Sequence, residues 1–323
     1  MIMLNEARII QQLKTAFPEN IGDDAAVIHT TPNELTLISK DLLIENVHFN
    51  RRYMSPQDIA HKALQVNLSD IAAMGGAPNQ ALLGIAVPLN YSADVDIFLS
   101  GFIGACQQAG VLLVGGDTTC SQNDFCISLT ILGTVHPTHI TYRHTAKPSN
   151  YFCVIGNIGF AHLGLQALES HKPCDERYTK ALCRPQALVA EAQWLAQQFG
   201  VIAMMDISDG LVIDLSRLCE ASQVSAHLDI QNLPQDRHFQ QTCEDLQQDP
   251  IITQLCGGED YGLLCTIDAE QFTQIHAKFC EKFTTPFHCL GQLQANQPNP
   301  IYYFQNGTPI HITTKPFSHF GEL

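Results

Sequence analysis

The sequence lacks the short motifs that identify the commonest nucleotide and redox sites. It contains no GK dipeptide, which excludes a Walker P-loop, and no GxGxxG, so neither a Rossmann turn nor the glycine loop of a protein kinase is indicated. Its 12 cysteines include no CxxC pair, which argues against a zinc ribbon and a thioredoxin-like redox site. A phosphate site in this chain must therefore be built from metal ligands and scattered backbone groups.

Positive charge is also scarce. The chain has 17 lysines and arginines against 32 aspartates and glutamates, giving a formal net charge of -15. Nucleic acid is not an expected partner, because phosphate backbones select basic surfaces. The acidic excess suits cations or metal-bridged anions better.

Long apolar runs are missing as well. No stretch approaches the length of a membrane span, and the N-terminal MIMLNEARIIQQLKTAF carries internal charges typical of an amphipathic helix rather than a signal peptide. Reduced thiols are the default for such a protein. We therefore expect a cytoplasmic protein without membrane contact.

The chain is long enough for two domains, with 323 residues of which 45% are hydrophobic. Short apolar runs typical of strands alternate with segments of helical period, which predicts an α/β fold of the α+β type. The polar stretch HPTHITYRHTAKPSN interrupts this pattern, so we place a domain boundary there, with domains at 1–137 and 138–323. In the first domain we expect strands at 36–44, 81–89, 111–114 and 125–135, and helices beginning near Ser55 and at 94–109. In the second we expect strands at 151–156, 201–207 and 261–267, and helices near 160–170, 186–199 and 211–222.

The most informative feature is a set of acids that stand beside glycines and strand ends. The sequence IGDDAAVI places Asp23 next to Asp24, and two charges about 4 Å apart repel by roughly 4 kcal/mol at an effective dielectric of about 20. Such a pair must be solvated, protonated or neutralised. Other acids occur in SKDLL, NLSDIAAMGG, VGGDTT, MMDISDG and GGEDYG, at Asp41, Asp70, Asp117, Asp206, Asp209, Glu259 and Asp260.

Each acid also has an ordinary structural interpretation. The Asp23–Asp24 pair could form a polar turn, Asp70 could lie on an exposed helix face, and Ser208 and Asp209 could cap the helix that follows them. Taken together, however, the acids favour Mg²⁺, which prefers carboxylates, water and substrate phosphates as ligands. Three or more acids in one cleft therefore predict a polyphosphate substrate.

The motifs GDDAAV, SKDLLIENVHF, KALQVNLSDIAAMGGAP, VGGDTT, MDISDGLVIDL and GGEDYGLL, in this order and spacing, resemble those of the thiamine-monophosphate kinase family of the PurM-like ATP-binding superfamily. The resemblance extends from about residue 20 to the C-terminal KPFSHF. It implies a two-domain PurM-like fold, a homodimer that pairs its N-terminal sheets, and transfer of the γ-phosphoryl group of ATP to thiamine monophosphate. Several Mg²⁺ ions would bridge the phosphates.

The resemblance also implies roles for individual residues. Among them, Asp41, Asp117 and Asp209 are expected to act most directly in catalysis by stabilising charge. The implied metal set is Asp24, Ser39, Asp41, Asp70, Asp117, Asp206 and Asp209. The implied nucleotide contacts are Gly116, Asp117, Arg143 and Ser208. The implied acceptor contacts are His48, Glu259 or Asp260, and Phe317. His48 could instead be a structural histidine, Arg143 a surface charge of the linker, and Phe317 a packing residue.

Two positions depart from the family pattern: Lys40 stands where the family usually has threonine, and Leu42 replaces a second threonine. Side chains alternate across a strand, so Ser39 and Asp41 share one face and Lys40 points to the other. We therefore expect Lys40 to contribute at most its backbone to the metal site.

Two alternatives stay open at this stage. Another PurM-like ATP-dependent enzyme is one, although selenophosphate synthetase carries a reactive residue near its N-terminus and no cysteine here precedes Cys106. The hydrogenase-maturation dehydratase ends in a reactive cysteine, whereas this chain ends in FGEL. A catalytically silent Mg-ATP-binding protein of the same fold is the other.

Overall fold

The computed structural model describes residues 6–17 and 22–313. The helices are α1 (Glu6–Ala16), α2 (Pro56–Ala73), α3 (Val95–Ala109), α4 (Phe160–Ser170), α5 (Glu176–Cys183), α6 (Val189–Ala196), α7 (Leu211–Ser222), α8 (Arg237–Leu246), α9 (Pro250–Cys256) and α10 (Phe272–Lys282). The strands are β1 (Ala26–Thr31), β2 (Glu34–Ile44), β3 (Ala77–Pro88), β4 (Leu112–Ser121), β5 (Cys126–Val135), β6 (Tyr151–Ile155), β7 (Val201–Ile207), β8 (Val224–Asp229), β9 (Gly262–Ile267), β10 (Phe287–Ala295), β11 (Ile301–Gln305) and β12 (Thr308–Ile310).

The first sheet has five strands in the order β1-β2-β5-β3-β4. All neighbours are antiparallel except β3 and β4, which run parallel and are connected through α3. Alternate residues of β5, including Ile127, Leu129 and Ile131, are buried in a core shared with α2. β4 forms one edge, and its residues are exposed along almost its whole length.

The second sheet has seven strands in the order β12-β11-β8-β10-β6-β9-β7. Apolar side chains cover both of its faces. One face packs against α7 through residues such as Leu215 and Leu218, and the other against α6 and α10 through Leu195 and Phe279.

Helix α2 joins the two halves of the molecule. It begins with a capping box in which the Ser55 hydroxyl accepts the Asp58 N–H and the Asp58 carboxylate accepts the Ser55 N–H, each at 3.2 Å. The helix is buried on most of its circumference, since it contacts β2 and β5 of the first sheet, β7 of the second sheet and the helix α6. It thereby places Asp70, near its C-terminal end, beside Asp206 at the end of β7.

The α/β fold class predicted from the sequence is confirmed, and the expected strands and helices are present with small shifts, except that the strand predicted at 111–114 extends to Ser121 in β4. The predicted helix at 186–199 is shorter, because α6 spans only Val189–Ala196. The prediction missed four helices and five strands, namely α5, α8, α9, α10, β1, β8, β10, β11 and β12. Within the described part of the chain, no helix is both long and apolar enough to cross a membrane.

Candidate active site

Three of the predicted acids converge between the two halves of the molecule. Asp24 precedes β1, Asp70 lies on α2 and Asp206 lies on β7, and one carboxylate oxygen from each falls within 4.8 Å of the other two. We call these three residues the acidic cluster. The side chain of Asp24 is only 4% exposed, so solvent does little to screen its charge.

Each carboxylate of the acidic cluster has one polar partner. Arg143 Nη2 donates to Asp24 Oδ1 at 2.6 Å, Ser69 Oγ donates to Asp206 Oδ2 at 2.9 Å, and the Ser39 hydroxyl donates to Asp70. Arg143 offsets the charge of Asp24, whereas Asp70 and Asp206 have only neutral hydroxyl partners. Burial, followed by the charge of Asp41, raises the pKa of Asp70 well above its usual range. Burial and then Asp24 have the same effect on the pKa of Asp206.

The acidic cluster fits a divalent cation. Asp24 Oδ2 is buried and has no hydrogen-bond partner, and an oxygen in that position costs free energy unless a cation or proton reaches it. Carboxylate oxygens are the ligands that Mg²⁺ prefers, and a hydroxyl such as that of Ser39 adds another oxygen beside Asp70. The adjacent Asp23 is held differently, since its carboxylate accepts the backbone N–H of Arg143 at 2.9 Å.

A second acidic group lies next to this cluster. Asp41 on β2 has its pKa raised to about 6 by burial and then by the charge of Asp209. Arg217 Nη1 contacts Asp209 Oδ2 at 2.5 Å and Asp214 Oδ1 at 3.0 Å. Asp214 is fully buried on α7, and burial followed by Asp209 raises its pKa to about 7. The cleft therefore holds two guanidinium groups, of Arg143 and Arg217, among its carboxylates.

The start of α7 does not support the alternative interpretation in which Ser208 and Asp209 cap the helix. The N-cap is Gly210, with φ 106°, and neither predicted residue makes a side-chain cap hydrogen bond. Glycine is required there, because a Cβ atom would also lie 3.0 Å from the carbonyl oxygen of Cys256. Asp209 is instead held by its backbone N–H, which donates to Asp214 Oδ2 at 3.1 Å. Its carboxylate is thus directed to Arg217 and the cleft.

Lys40 lies on the opposite face of β2 from Ser39. Its ammonium group donates to the Ser128 hydroxyl at 2.5 Å, on the neighbouring strand β5, whereas the Ser39 hydroxyl turns toward Asp70. This is the alternation expected for the strand. A metal contact from Lys40 would have to come from its backbone, and that role stays a prediction.

Two cavities meet at the acids. The smaller cavity has a volume of about 250 Å³ and is lined by Asp24, Lys40, Arg143 and Arg217. The larger cavity has a volume of about 650 Å³ and is lined by His48 and Glu259. Its apolar walls include Leu43, Leu165 and Ile252. Both are lined by Asp41, Asp70, Asp206 and Ser208. The predicted nucleotide contacts Arg143 and Ser208 thus line the smaller cavity, and the predicted acceptor contacts His48 and Glu259 line the larger one.

The predicted acceptor residues differ in their surroundings. His48 Nδ1 accepts the backbone N–H of Ile44 at 3.1 Å, so the neutral ring carries its proton on Nε2. Glu259 lines the larger cavity, whereas Asp260 does not: its carboxylate accepts the backbone N–H groups of Gly159 and Ala161 at the start of α4. Asp260 therefore anchors the loop that presents Glu259. Phe317 lies outside the described residues.

Gly116 and Asp117 are not brought to the acidic cluster within one chain. Asp117 on β4 is level with Gly84, Ser128 and Leu42 on successive strands, which places it three strand spacings, about 14 Å, from β2. A Cβ atom on Gly116 would lie 1.8 Å from the carbonyl oxygen of Leu83, so the sheet itself requires glycine there. The roles predicted for both residues stay predictions.

Three charged residues of the site were not predicted from the sequence. Asp214 and Arg217 follow the MDISDG motif at helical spacing, which could have suggested that they face Asp209. Lys62 lies two turns before Asp70 on α2, lines the larger cavity and is 1% exposed. A lysine in a helix usually lies at the surface. The only indication in the sequence was its helical spacing from Asp70, which places both side chains on one face of α2.

Comparison with known protein families identifies the class of protein that has this fold and this acidic cleft. The AIR synthase related protein N-terminal domain matches residues 22–135, and the AIR synthase related protein C-terminal domain matches residues 153–298. The chain is thus a two-domain AIR synthase related protein.

Curated relatives narrow this class. The chain is 30% identical over 311 residues to the thiamine-monophosphate kinase of Haemophilus influenzae, covering 94% of this chain and 92% of that protein. It is 29% identical over 307 residues to the thiamine-monophosphate kinase of Bacillus subtilis, covering 93% of each. A solved structure described as AaThiL complexed with AMPPCP and TMP superimposes with a TM-score of 0.86 at 28% identity, covering 99% of both chains. The chain belongs to the thiamine-monophosphate kinase family.

Proposed function

We propose that this chain transfers the γ-phosphoryl group of ATP to thiamine monophosphate, giving thiamine diphosphate and ADP. The observation that carries the proposal is the meeting of two cavities at one set of buried carboxylates, since a bisubstrate phosphoryl transfer needs both phosphates at one point. Support comes from the similar solved structure, which holds an ATP analogue and TMP together. The acceptor's phosphate oxygen forms the new P–O bond while the bond between the γ-phosphorus and the ADP oxygen breaks.

The residues that line the two cavities have different roles in this reaction. Arg143 and Arg217, in the smaller cavity, offer guanidinium donors for the oxygens of a nucleotide phosphate. The larger cavity has apolar walls for the organic part of the acceptor, with His48 and Glu259 as polar contacts. The attacking phosphate oxygen is already anionic, so no side chain has to remove a proton from it. Catalysis then depends on alignment and on neutralising charge.

Magnesium has a defined place in this proposal. Asp24, Asp70 and Asp206 would hold it, with Ser39 and Asp41 in the same smaller cavity and Asp209 in the adjoining larger one. Bound there, Mg²⁺ supplies the positive charge that offsets repulsion between two phosphate-bearing substrates. The cationic thiazolium of the acceptor is also favoured by the acids around it.

We further propose that two copies of the chain assemble through the first sheet and that Asp117 serves the site of the partner subunit. Its position about 14 Å from β2 keeps it from the acidic cluster of its own chain. Exposed apolar residues also concentrate on this sheet, among them Leu112 on the edge strand at 63% exposure. A second copy would cover this surface and close its open edge.

A complementation experiment tests this assembly. Asp70→Asn and Asp117→Asn are each expected to be inactive alone, but a refolded equal mixture should regain about a quarter of wild-type activity, because half of the dimers are mixed and each has one intact site. No recovery from mixed dimers would refute a contribution from the partner. Sedimentation of wild type at micromolar concentration checks the assembly itself, and a monomer would contradict it.

The reaction is tested with matched acceptors. ADP release should depend on thiamine monophosphate and should not occur with thiamine, which lacks the phosphate that reaches the acids. Equal ADP release with both would refute attack by the acceptor's phosphate. ATP binding without ADP release under any of these conditions would indicate a silent nucleotide-binding protein.

A further inference from the structure

Lys62 is a buried cation in the larger cavity. It lies in the middle of α2 and is 1% exposed, although lysine is almost never fully buried unless it is paired. Its ammonium group forms an ion pair with Glu259, with Nζ 2.8 Å from Oε1. Glu259 keeps 30% of its side chain exposed, so the pair is enclosed on the lysine side and open toward the cavity on the glutamate side.

The pair connects the two halves of the molecule. Lys62 belongs to the helix that packs on the first sheet, and Glu259 belongs to the loop between α9 and β9 of the second half. Each residue therefore lies in a different wall of the cavity, and their ion pair is one of the contacts between those walls.

The loop around Glu259 is held in an unusual conformation. Glu259 has φ 66° and Tyr261 has φ 50°, a region that costs free energy for residues other than glycine. The backbone N–H groups of these residues donate to Ser208 O at 2.7 Å and Ile207 O at 2.9 Å. The loop is thus tied to the strand that ends beside the acidic cluster, and the Lys62 ammonium is the charged partner of the Glu259 side chain.

Lys62 is aligned with the acidic cluster along one face of α2. Lys62, Val66 and Asp70 are spaced by four residues and all line the larger cavity. Eight residues of α-helix span about 12 Å. An acceptor whose phosphate lies at Asp70 would therefore extend its organic part along Val66 toward the ion pair.

We propose that Lys62 is a positioning residue of the acceptor site, which holds the Glu259 carboxylate so that its second oxygen accepts a hydrogen bond from an N–H donor on the organic part of the acceptor. This inference rests on the proposed function. The ion pair with Lys62 engages Oε1, although Lys62 Nζ makes no hydrogen bond of good geometry, and this leaves Oε2 to accept a hydrogen bond from the ligand. The pairing also cancels the lysine charge, which would otherwise repel a cationic ring.

A double-mutant cycle tests whether Lys62 acts through Glu259. Lys62→Met should raise the KM for thiamine monophosphate by about tenfold or more while kcat and the KM for ATP change by less than about threefold. Glu259→Gln should have a similar effect, and the double variant should match Glu259→Gln within about twofold, because one contact is lost in all three. Independent, multiplying effects would overturn the proposal.

An exposed pair of the same chemistry serves as the control. Lys180 and Glu176 on α5 are also 2.8 Å apart, and Lys180→Met with Glu176→Gln should leave every kinetic constant unchanged. A fall in kcat for Lys62→Met at unchanged acceptor KM would assign Lys62 to the transferred phosphoryl group instead. A lower melting temperature of Lys62→Met with unchanged kinetic constants would show that Lys62 has only a structural role.

Two further outcomes keep the proposals separate. Should Lys62→Met not fold, Lys62→Gln replaces it, and an unchanged acceptor KM in that variant overturns the positioning role. Failure of the wild-type protein to form thiamine diphosphate refutes the proposed function. Normal product formation with an unchanged acceptor KM in the lysine variant refutes the positioning role alone.

Discussion

Replacing Asp70 by asparagine should stabilise the metal-free protein while it abolishes activity. At the 4.8 Å limit within the acidic cluster, two full charges repel by about 3.5 kcal/mol at an effective dielectric of about 20. The Asp70→Asn change removes one charge and retains a side-chain oxygen that can accept from the Ser39 hydroxyl. Because a raised pKa already relieves part of the repulsion, we expect a net gain in the free energy of unfolding of about 1–3 kcal/mol.

Thermal unfolding measures this gain. In EDTA at pH 8, Asp70→Asn should melt at least about 2 °C above wild type. With saturating Mg²⁺ the order should reverse, because the wild type gains binding free energy that the variant loses. Asp245→Asn removes an exposed charge on α8 and should change the melting temperature neither in EDTA nor with saturating Mg²⁺. A metal-free Asp70→Asn protein that is less stable than wild type, or one that keeps its response to Mg²⁺, would refute this explanation of the cluster.

The remaining predictions concern the neighbours of the cluster and its protonation. Asp41→Asn and Asp209→Asn should each lower kcat at least about a hundredfold in a folded protein, and near-normal turnover of both at saturating Mg²⁺ would contradict their assignment. Lys40→Thr should change the rate less than about tenfold, since its ammonium binds Ser128; a steep new Mg²⁺ requirement would show that the lysine replaces a cation. The native pKa of Asp41, about 6, is raised, so the folded state holds a proton that the unfolded chain releases, and metal-free stability should fall as pH rises from about 4 to about 7. The increase in melting temperature caused by Mg²⁺ should accordingly grow from pH 5.5 to pH 8 in calorimetry, and a constant increase would exclude competition between metal and protons.

Much of the fold could be predicted because its strands and helices follow simple patterns. β7 is a continuous apolar run that ends in an acid, and α2 opens with Ser55 and Pro56 and closes before two glycines. The strands β11 and β12 have only five and three residues and lie at one edge of the second sheet, so they are too short to show a clear period.

The acids could be located in the sequence, but their grouping could not. Asp206 and Asp70 come together only because α2 packs on β7, which is a tertiary contact. Asp117 follows an apolar run just as Asp206 does, yet the order of the strands separates it from β2. Lys62 was missed because burial of a lysine depends on a partner, and its partner Glu259 lies in the other half of the chain.

The fate of the γ-phosphoryl group tests the proposed reaction most directly. Purified protein, Mg²⁺ and thiamine monophosphate should be incubated with ATP labelled in its γ-phosphate, with Asp70→Asn as the inactive control. We predict that the label appears in the terminal phosphate of thiamine diphosphate, with one ADP formed for each thiamine diphosphate. Label found only in inorganic phosphate, or no turnover of ATP in the presence of thiamine monophosphate, would contradict the proposed reaction.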